Sequence, residues 1–145
     1  MVFTVASLII RFVAGKASDK YGRVHVINLG LILLFVSLIV VGYANSFNGL
    51  MLGSAVYGVA MGILSPATNA WTVDMSHPHH RGKALATMYI ALEAGIGLGA
   101  LLAGWYYQDV ITKVPLMMYA AAGITFIALV YMLFRSKLND GKMSA

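Results

Sequence analysis

The only glutamate in this chain of 145 residues, Glu93, lies in the apolar stretch ALEAGIG, ten residues after Lys83. A helix here would carry it about 15 Å from that lysine, near the middle of a membrane. Acids in that position usually pair, face a cavity or carry protons, because an ionised carboxylate in hydrocarbon costs at least about 2 kcal/mol. We predict that Glu93 transfers protons or contacts a substrate. Asn69 and Tyr89 are further candidates, because either could form a hydrogen bond to a substrate. The alternative for all three is hydrogen bonding between helices.

Three histidines form a second candidate for chemistry, in the sequence SHPHHRG. Imidazoles at positions 77, 79 and 80 could hold a metal or titrate near neutral pH. Metal ligation requires a fixed geometry, whereas Pro78 interrupts this short polar connection. The chain has no cysteine, so it contains no thiolate ligand or disulfide framework. We therefore expect no metal and no cofactor, and no motif of a catalytic nucleophile or phosphate-binding loop supports an enzyme.

The third candidate is the charged sequence RFVAGKASDKYGRV, residues 11–24, between two apolar stretches. Gly15 and Gly22 allow a tight turn, because glycine tolerates backbone conformations that other residues avoid. Asp19 is an anion among cations, and anions are stabilised at helix N-termini and by arginine partners. The cations that would hold the loop at a membrane surface are Lys16, Lys20 and Arg23.

The elements that must position these residues are membrane helices. The chain is 60% hydrophobic and only 10% charged, whereas soluble domains are about 25% charged. Five apolar stretches approach the length of about 20 residues that crosses a bilayer as a helix. We predict an all-α membrane protein with helices over residues 1–15, 26–44, 49–71, 84–107 and 115–134, within a domain of 1–137 followed by a tail of 138–145. The first stretch is short, so we expect a piece of a longer protein.

Basic residues alternate between the connections of these helices. The net charge of +5 is spread between apolar blocks and forms no basic face for nucleic acid. Loop 16–24, loop 72–83 and the C-terminus carry most of the lysine and arginine, whereas residues 45–48 carry none. The positive-inside rule therefore predicts a multi-pass protein of the cell membrane with those three regions in the cytoplasm.

The sequence GKASDKYGRV resembles the loop motif G-x-x-x-D-R/K-x-G-R-R/K of major facilitator superfamily transporters, and departs from it at Val24. The stretch from SPATNAW to LLAGW is similar to the fourth helix, cytoplasmic loop and glycine-rich fifth helix of one half of such a transporter. The resemblance implies most of a six-helix half-bundle. We expect the C-terminal half, helices eight to twelve, with its N-terminal half missing from this chain.

The resemblance also implies a conformational latch at this loop. In the superfamily, the motif aspartate meets a helix end of the opposite half, and the arginine pairs with an acid at the foot of the fourth helix. Here these residues would be Asp19, Arg23 and Asp74. The complete predicted latch is Gly15, Asp19, Lys20, Gly22, Arg23 and Asp74. The alternative is a solvated loop whose charges only set the topology.

Small residues recur at intervals of four in two of the apolar stretches. Ser54, Gly58, Gly62 and Pro66 form one ladder, and Ala91, Gly95, Gly99 and Ala103 form the other. Such faces allow a neighbouring helix to approach closely, and Pro66 removes one backbone hydrogen bond. We predict helix packing at Gly58, Gly62, Pro66, Gly95 and Gly99; whether the contacts move or stay fixed is open.

Two classes of function remain. The resemblance implies a secondary transporter that moves a small-molecule substrate across the lipid bilayer by alternating access, with protons as the candidate coupling ion. The alternative is a membrane remnant or anchor subunit that transports nothing and pairs with other membrane proteins. An upstream coding region for the missing helices would favour the transporter.

Overall fold

The computed structural model describes residues 18, 20, 22–44, 46–107 and 113–143, with side chains as far as Arg135. This part of the chain consists of four long helices and one 3₁₀ turn, without a β-strand. The elements are α1 (Arg23–Tyr43), α2 (Phe47–Met75), the 3₁₀ turn (Pro78–His80), α3 (Arg81–Tyr107) and α4 (Val114–Met143). All four helices are long and apolar enough to cross a membrane. The predicted all-α membrane fold is thus confirmed.

The helices begin and end close to the predicted limits, and most of their ends extend beyond them; α1 ends one residue early and α3 ends at the predicted residue. Arg23 is the first residue of α1, so it belongs to the helix and not to the loop. Asp74 lies in the last turn of α2, which runs four residues past the expected end. Helix α4 continues past its expected end at residue 134, so the residues expected to form the tail after residue 137 are helical as far as Met143. The segment 1–15 lies outside the described residues.

Local chemistry explains why α2 starts sharply and survives an internal proline. The side chain of Ser46 caps the helix by accepting a hydrogen bond from the Gly49 amide at 3.2 Å. Pro66 cannot donate a backbone hydrogen bond, yet the helix is continuous around it. Two residues further on, the Thr68 hydroxyl donates to the Leu64 carbonyl at 2.7 Å. This hydroxyl therefore adds a side-chain hydrogen bond to the helix within one turn of the proline.

Helix α1 is the centre of the bundle and packs extensively against both α2 and α4. The shared core includes Val26 and Ile27 of α1, Ile63 and Leu64 of α2, and Met132 of α4. By contrast, α3 contacts the rest of the described bundle mainly through α2, and none of its residues is buried. The bundle therefore has a closed side, formed by α1, α2 and α4, and an open side along α3.

Replacing Gly30 with alanine is expected to destabilise the α1–α2 contact. A Cβ atom at Gly30 would lie 2.7 Å from Leu64 Cγ and 2.9 Å from Leu64 Cδ2. Overpacking of this kind costs about 1–3 kcal/mol, against a gain of up to about 1 kcal/mol from the better helix former. Circular dichroism in detergent should report a lower unfolding midpoint. Gly97→Ala is the control, since a Cβ there meets nothing within 4 Å; equal midpoints would contradict the prediction.

Candidate functional site

The candidate site lies where the first turn of α1 meets the last turn of α2. Gly22 precedes α1 with φ of 88°, a conformation that favours glycine. From the next position, Arg23 Nε donates to Asp74 Oδ2 at 2.8 Å, and Arg23 Nη1 donates to Ser18 Oγ at 3.2 Å. The arginine thus connects the chain before α1 to the foot of α2, across 51 positions of sequence.

The Arg23–Asp74 ion pair is only partly shielded from solvent. The two side chains are 26% and 52% exposed, respectively. Ion pairs at this exposure contribute about 0.2–1 kcal/mol, much less than the interaction of two charges in a dry interior. A contact of this strength can hold two helix ends together in one conformation and release them in another.

A cavity of about 350 Å³ opens beside the ion pair, between α2 and α3. It is lined by Arg23, Asn69, Ala70, Val73, Asp74, Leu85 and Tyr89. Two of the three substrate candidates from the sequence, Asn69 and Tyr89, therefore lie in the same cavity as the ion pair. The cavity combines an amide, a phenol, a carboxylate and an apolar wall, which suits a small molecule with polar and aromatic parts.

Glu93 does not line this cavity. It lies four residues after Tyr89 in α3, and residues four apart share one face of a helix. Its side chain is exposed, and no described residue forms an ion pair or hydrogen bond with it. The structure thus places Glu93 one turn beyond the cavity, on the open side of the bundle.

A second arginine contacts the C-terminal part of α2, in this case from α4. The Arg135 guanidinium of α4 lies 5.3 Å from the centroid of the Trp71 ring, and its Nη2 atom is 3.8 Å from Met75 Sδ. Cation–π contacts of this kind contribute about 0.5–1 kcal/mol at exposed sites. The sequence alone did not indicate that Arg135, Trp71 or Ser18 makes these contacts. Only the folded bundle brings these residues together.

The two glycine ladders differ in their surroundings. Gly58 and Gly62 are buried in the bundle, whereas a Cβ at Gly95 or Gly99 would meet nothing within 4 Å. Packing at the α3 ladder therefore stays a prediction. The histidine rings lie near one another, with the His77 centroid 5.6 Å from His79 and 5.9 Å from His80. Among the described residues, no cluster has the composition of a metal site.

Two residues of the predicted latch, Gly15 and Asp19, fall outside the described residues. Lys20 is helical and exposed. The described members of the latch are thus Lys20, Gly22, Arg23 and Asp74, and two of these form the ion pair.

Long apolar helices joined by short connections, with a charged pair at one end, define a multi-pass helical membrane protein. The sequence profile of the Major Facilitator Superfamily matches residues 1–142. The chain belongs to this superfamily.

The chain is also similar in sequence to two curated bacterial resistance proteins. The chain is 29% identical over 122 residues to the quinolone resistance protein NorA of Staphylococcus aureus. It is 27% identical over 119 residues to multidrug resistance protein 1 of Bacillus subtilis strain 168. The alignments cover 84% and 82% of this chain, but only 31% and 30% of the two relatives. The chain thus spans about a third of the length of these curated relatives.

Proposed function

We propose that this chain forms part of a secondary transporter that exports a small organic molecule from the cell by alternating access. Membership of the superfamily supports transport. The names of the two relatives describe drug resistance, which supports export over import. The chain then corresponds to helices eight to twelve and works together with an N-terminal half. Such proteins move a solute and leave it chemically unchanged, so no enzymatic role is proposed.

The observation that carries the proposal is the Arg23–Asp74 pair beside the α2–α3 cavity. In alternating access, one end of the bundle must close while the other opens. A partly exposed ion pair of modest strength suits that requirement, because it stabilises one state without trapping it. Asp19 would add a contact to the other half, as the resemblance implies. We propose that this end faces the cytoplasm of a cell with the protein in its plasma membrane.

Substrate would bind in or beyond the cavity that Asn69 and Tyr89 line. Their amide and phenol groups supply directional hydrogen bonds, while Leu85 and Val73 supply apolar contact. Glu93, one turn further along α3, is the proposed site of proton binding. A carboxylate on the open side of the bundle would be covered by the other half of the transporter, which makes it a candidate for coupling between the halves.

A chimera tests the transport proposal directly. The segment of Staphylococcus aureus NorA that aligns with this chain is replaced by the chain, and efflux of a quinolone from energised bacteria is followed by its fluorescence. We expect export above that of cells with an empty vector. A fluorescent tag checks membrane insertion, and native NorA is the positive control. An inserted chimera without efflux would contradict the proposal and favour a membrane protein that transports nothing.

Replacing Glu93 with glutamine in this chimera is expected to remove the dependence of efflux on the pH gradient. Glutamine keeps the size and hydrogen bonding of the side chain but cannot exchange a proton. Initial efflux rates would be measured at several imposed gradients. Thr87→Ala is the control in α3, because the Thr87 hydroxyl donates only to the Lys83 carbonyl in its own helix. A glutamine variant with the original pH dependence would remove Glu93 from the mechanism.

A further inference from the structure

An apolar cavity of about 500 Å³ separates α3 from α4 at the end of the bundle far from Arg23. Its walls include Gly99, Ala103 and Tyr106 of α3 and Leu116, Ala121 and Ile124 of α4. Among the described residues that line it, the Tyr106 hydroxyl is the only polar side-chain group, and none of these residues lines the α2–α3 cavity of the candidate site.

Small residues on both helices create this space. Gly99 and Ala103 of α3 face it, as do Ala120 and Ala121 of α4, and a Cβ at Gly99 would meet no atom within 4 Å. The lining residues extend over positions 99–106 and 116–124, or about 10–12 Å along each helix. That length is close to the depth of one leaflet, since the hydrocarbon core is about 30 Å thick in total.

A cation marks the end of the cavity nearest the membrane surface. Lys113 immediately precedes α4, and its Nζ atom donates to the Tyr106 carbonyl at 3.0 Å. The same atom lies 5.1 Å from the centroid of the Tyr106 ring. Tyr106 therefore links the cation to the cavity, because it lines the cavity and its carbonyl and ring both contact the Lys113 ammonium group. The result is an apolar groove of one leaflet's depth with a positive charge at its mouth.

We propose that this groove binds one phospholipid with an anionic headgroup. The acyl chain occupies the space between α3 and α4, and the phosphate lies at Lys113. Apolar cavities stay free of water, so this space between two membrane helices holds an acyl chain. The lysine adds a preference for anionic lipid, since a basic residue near the surface contributes about 1 kcal/mol. The site is independent of the transport proposal.

The test uses the 145-residue chain in nanodiscs that contain a trace of phospholipid with a photoactivatable group on its acyl chain. Phosphatidylglycerol and phosphatidylcholine probes are compared, and labelled peptides are mapped by mass spectrometry. We expect labelling concentrated on residues 99–106 and 116–124, with phosphatidylglycerol preferred. Lys113→Gln should lower that preference roughly fivefold.

Two variants fill the groove, and a matched variant does not. Gly99→Leu and Ala121→Leu add side chains from opposite walls and should each lower labelling of the groove at least severalfold. Gly97→Leu is the control, because Gly97 has equally open surroundings but does not line the cavity. Equal labelling of the Gly97 and Gly99 variants would overturn the proposal. So would displacement of the probe by a quinolone, or crosslinks between grooves of two copies.

Discussion

Reversing the charge of either Arg23 or Asp74 is expected to lower quinolone efflux by the NorA chimera at least fivefold, and reversing both should restore most of it. Each single variant, Arg23→Asp or Asp74→Arg, places two like charges where the native atoms lie 2.8 Å apart. The double variant recreates an ion pair with the opposite polarity. Initial efflux rates of the four proteins form a double-mutant cycle that isolates the coupling between the two positions.

The expected size follows from the exposure of the pair. A contribution of about 1 kcal/mol corresponds to a change of about fivefold in the equilibrium between two conformations, and repulsion in the single variants adds to it. Stability should change little, because both side chains are partly exposed and neither belongs to the buried core around Val26, Leu64 and Met132. Transport should therefore fall while the amount of inserted protein stays nearly constant.

Lys83→Asp is the matched control for charge alone. Lys83 is an exposed cation in the first turn of α3, outside the lining of the α2–α3 cavity. If this variant lowered efflux as much as Arg23→Asp, the effect would come from net charge at the membrane surface. A double variant no more active than the singles would likewise remove the latch and leave a loop that sets topology.

Sequence patterns were sufficient for the fold because lipid allows so few alternatives. Stretches of about 20 apolar residues must form helices when no water is present to satisfy their backbones. The exact ends were less accessible, because polar residues at a membrane surface can continue a helix at little cost. Asp74 and the residues after Phe134 are of this kind, and both lie in helices that extend past the hydrophobic limit.

The candidate site, too, was only partly predictable from the sequence. Arg23 and Asp74 could be paired from the sequence only through the resemblance to a known family, since 51 positions separate them. Ser18 and Arg135 gave no signal, because a buried hydroxyl acceptor and a cation–π contact depend on which helices are neighbours. The two glycine ladders also show that the surroundings of a residue depend on which helices are neighbours. Their spacing is identical, yet Gly62 is buried and Gly95 faces open space.

The second large effect is expected from reporter proteins fused to the chain, which should be active on one face of the membrane and inactive on the other. Reporters inserted after Tyr43 and after Met143 are expected on opposite faces of the membrane. The contacts show which helix ends lie together. Arg23 at the start of α1 contacts Asp74 at the end of α2, and Arg135 of α4 contacts Met75 at that same end of the bundle. Tyr43 terminates α1 at the other end. Alkaline phosphatase should be active after Tyr43, and green fluorescent protein should fluoresce after Met143.

Charge decides which of the two faces is cytoplasmic. Lys20, Arg23, Arg81, Lys83 and Arg135 belong to the Arg23–Asp74 end, whereas Lys113 lies at the other. The excess of cations predicts that the Arg23–Asp74 end is inside. Exchanging the two reporters provides the control, since each should then be silent. Reporters on one common face would contradict the antiparallel arrangement of α1 and α4. Opposite faces with reversed activity would contradict only the orientation and would place the latch outside the cell.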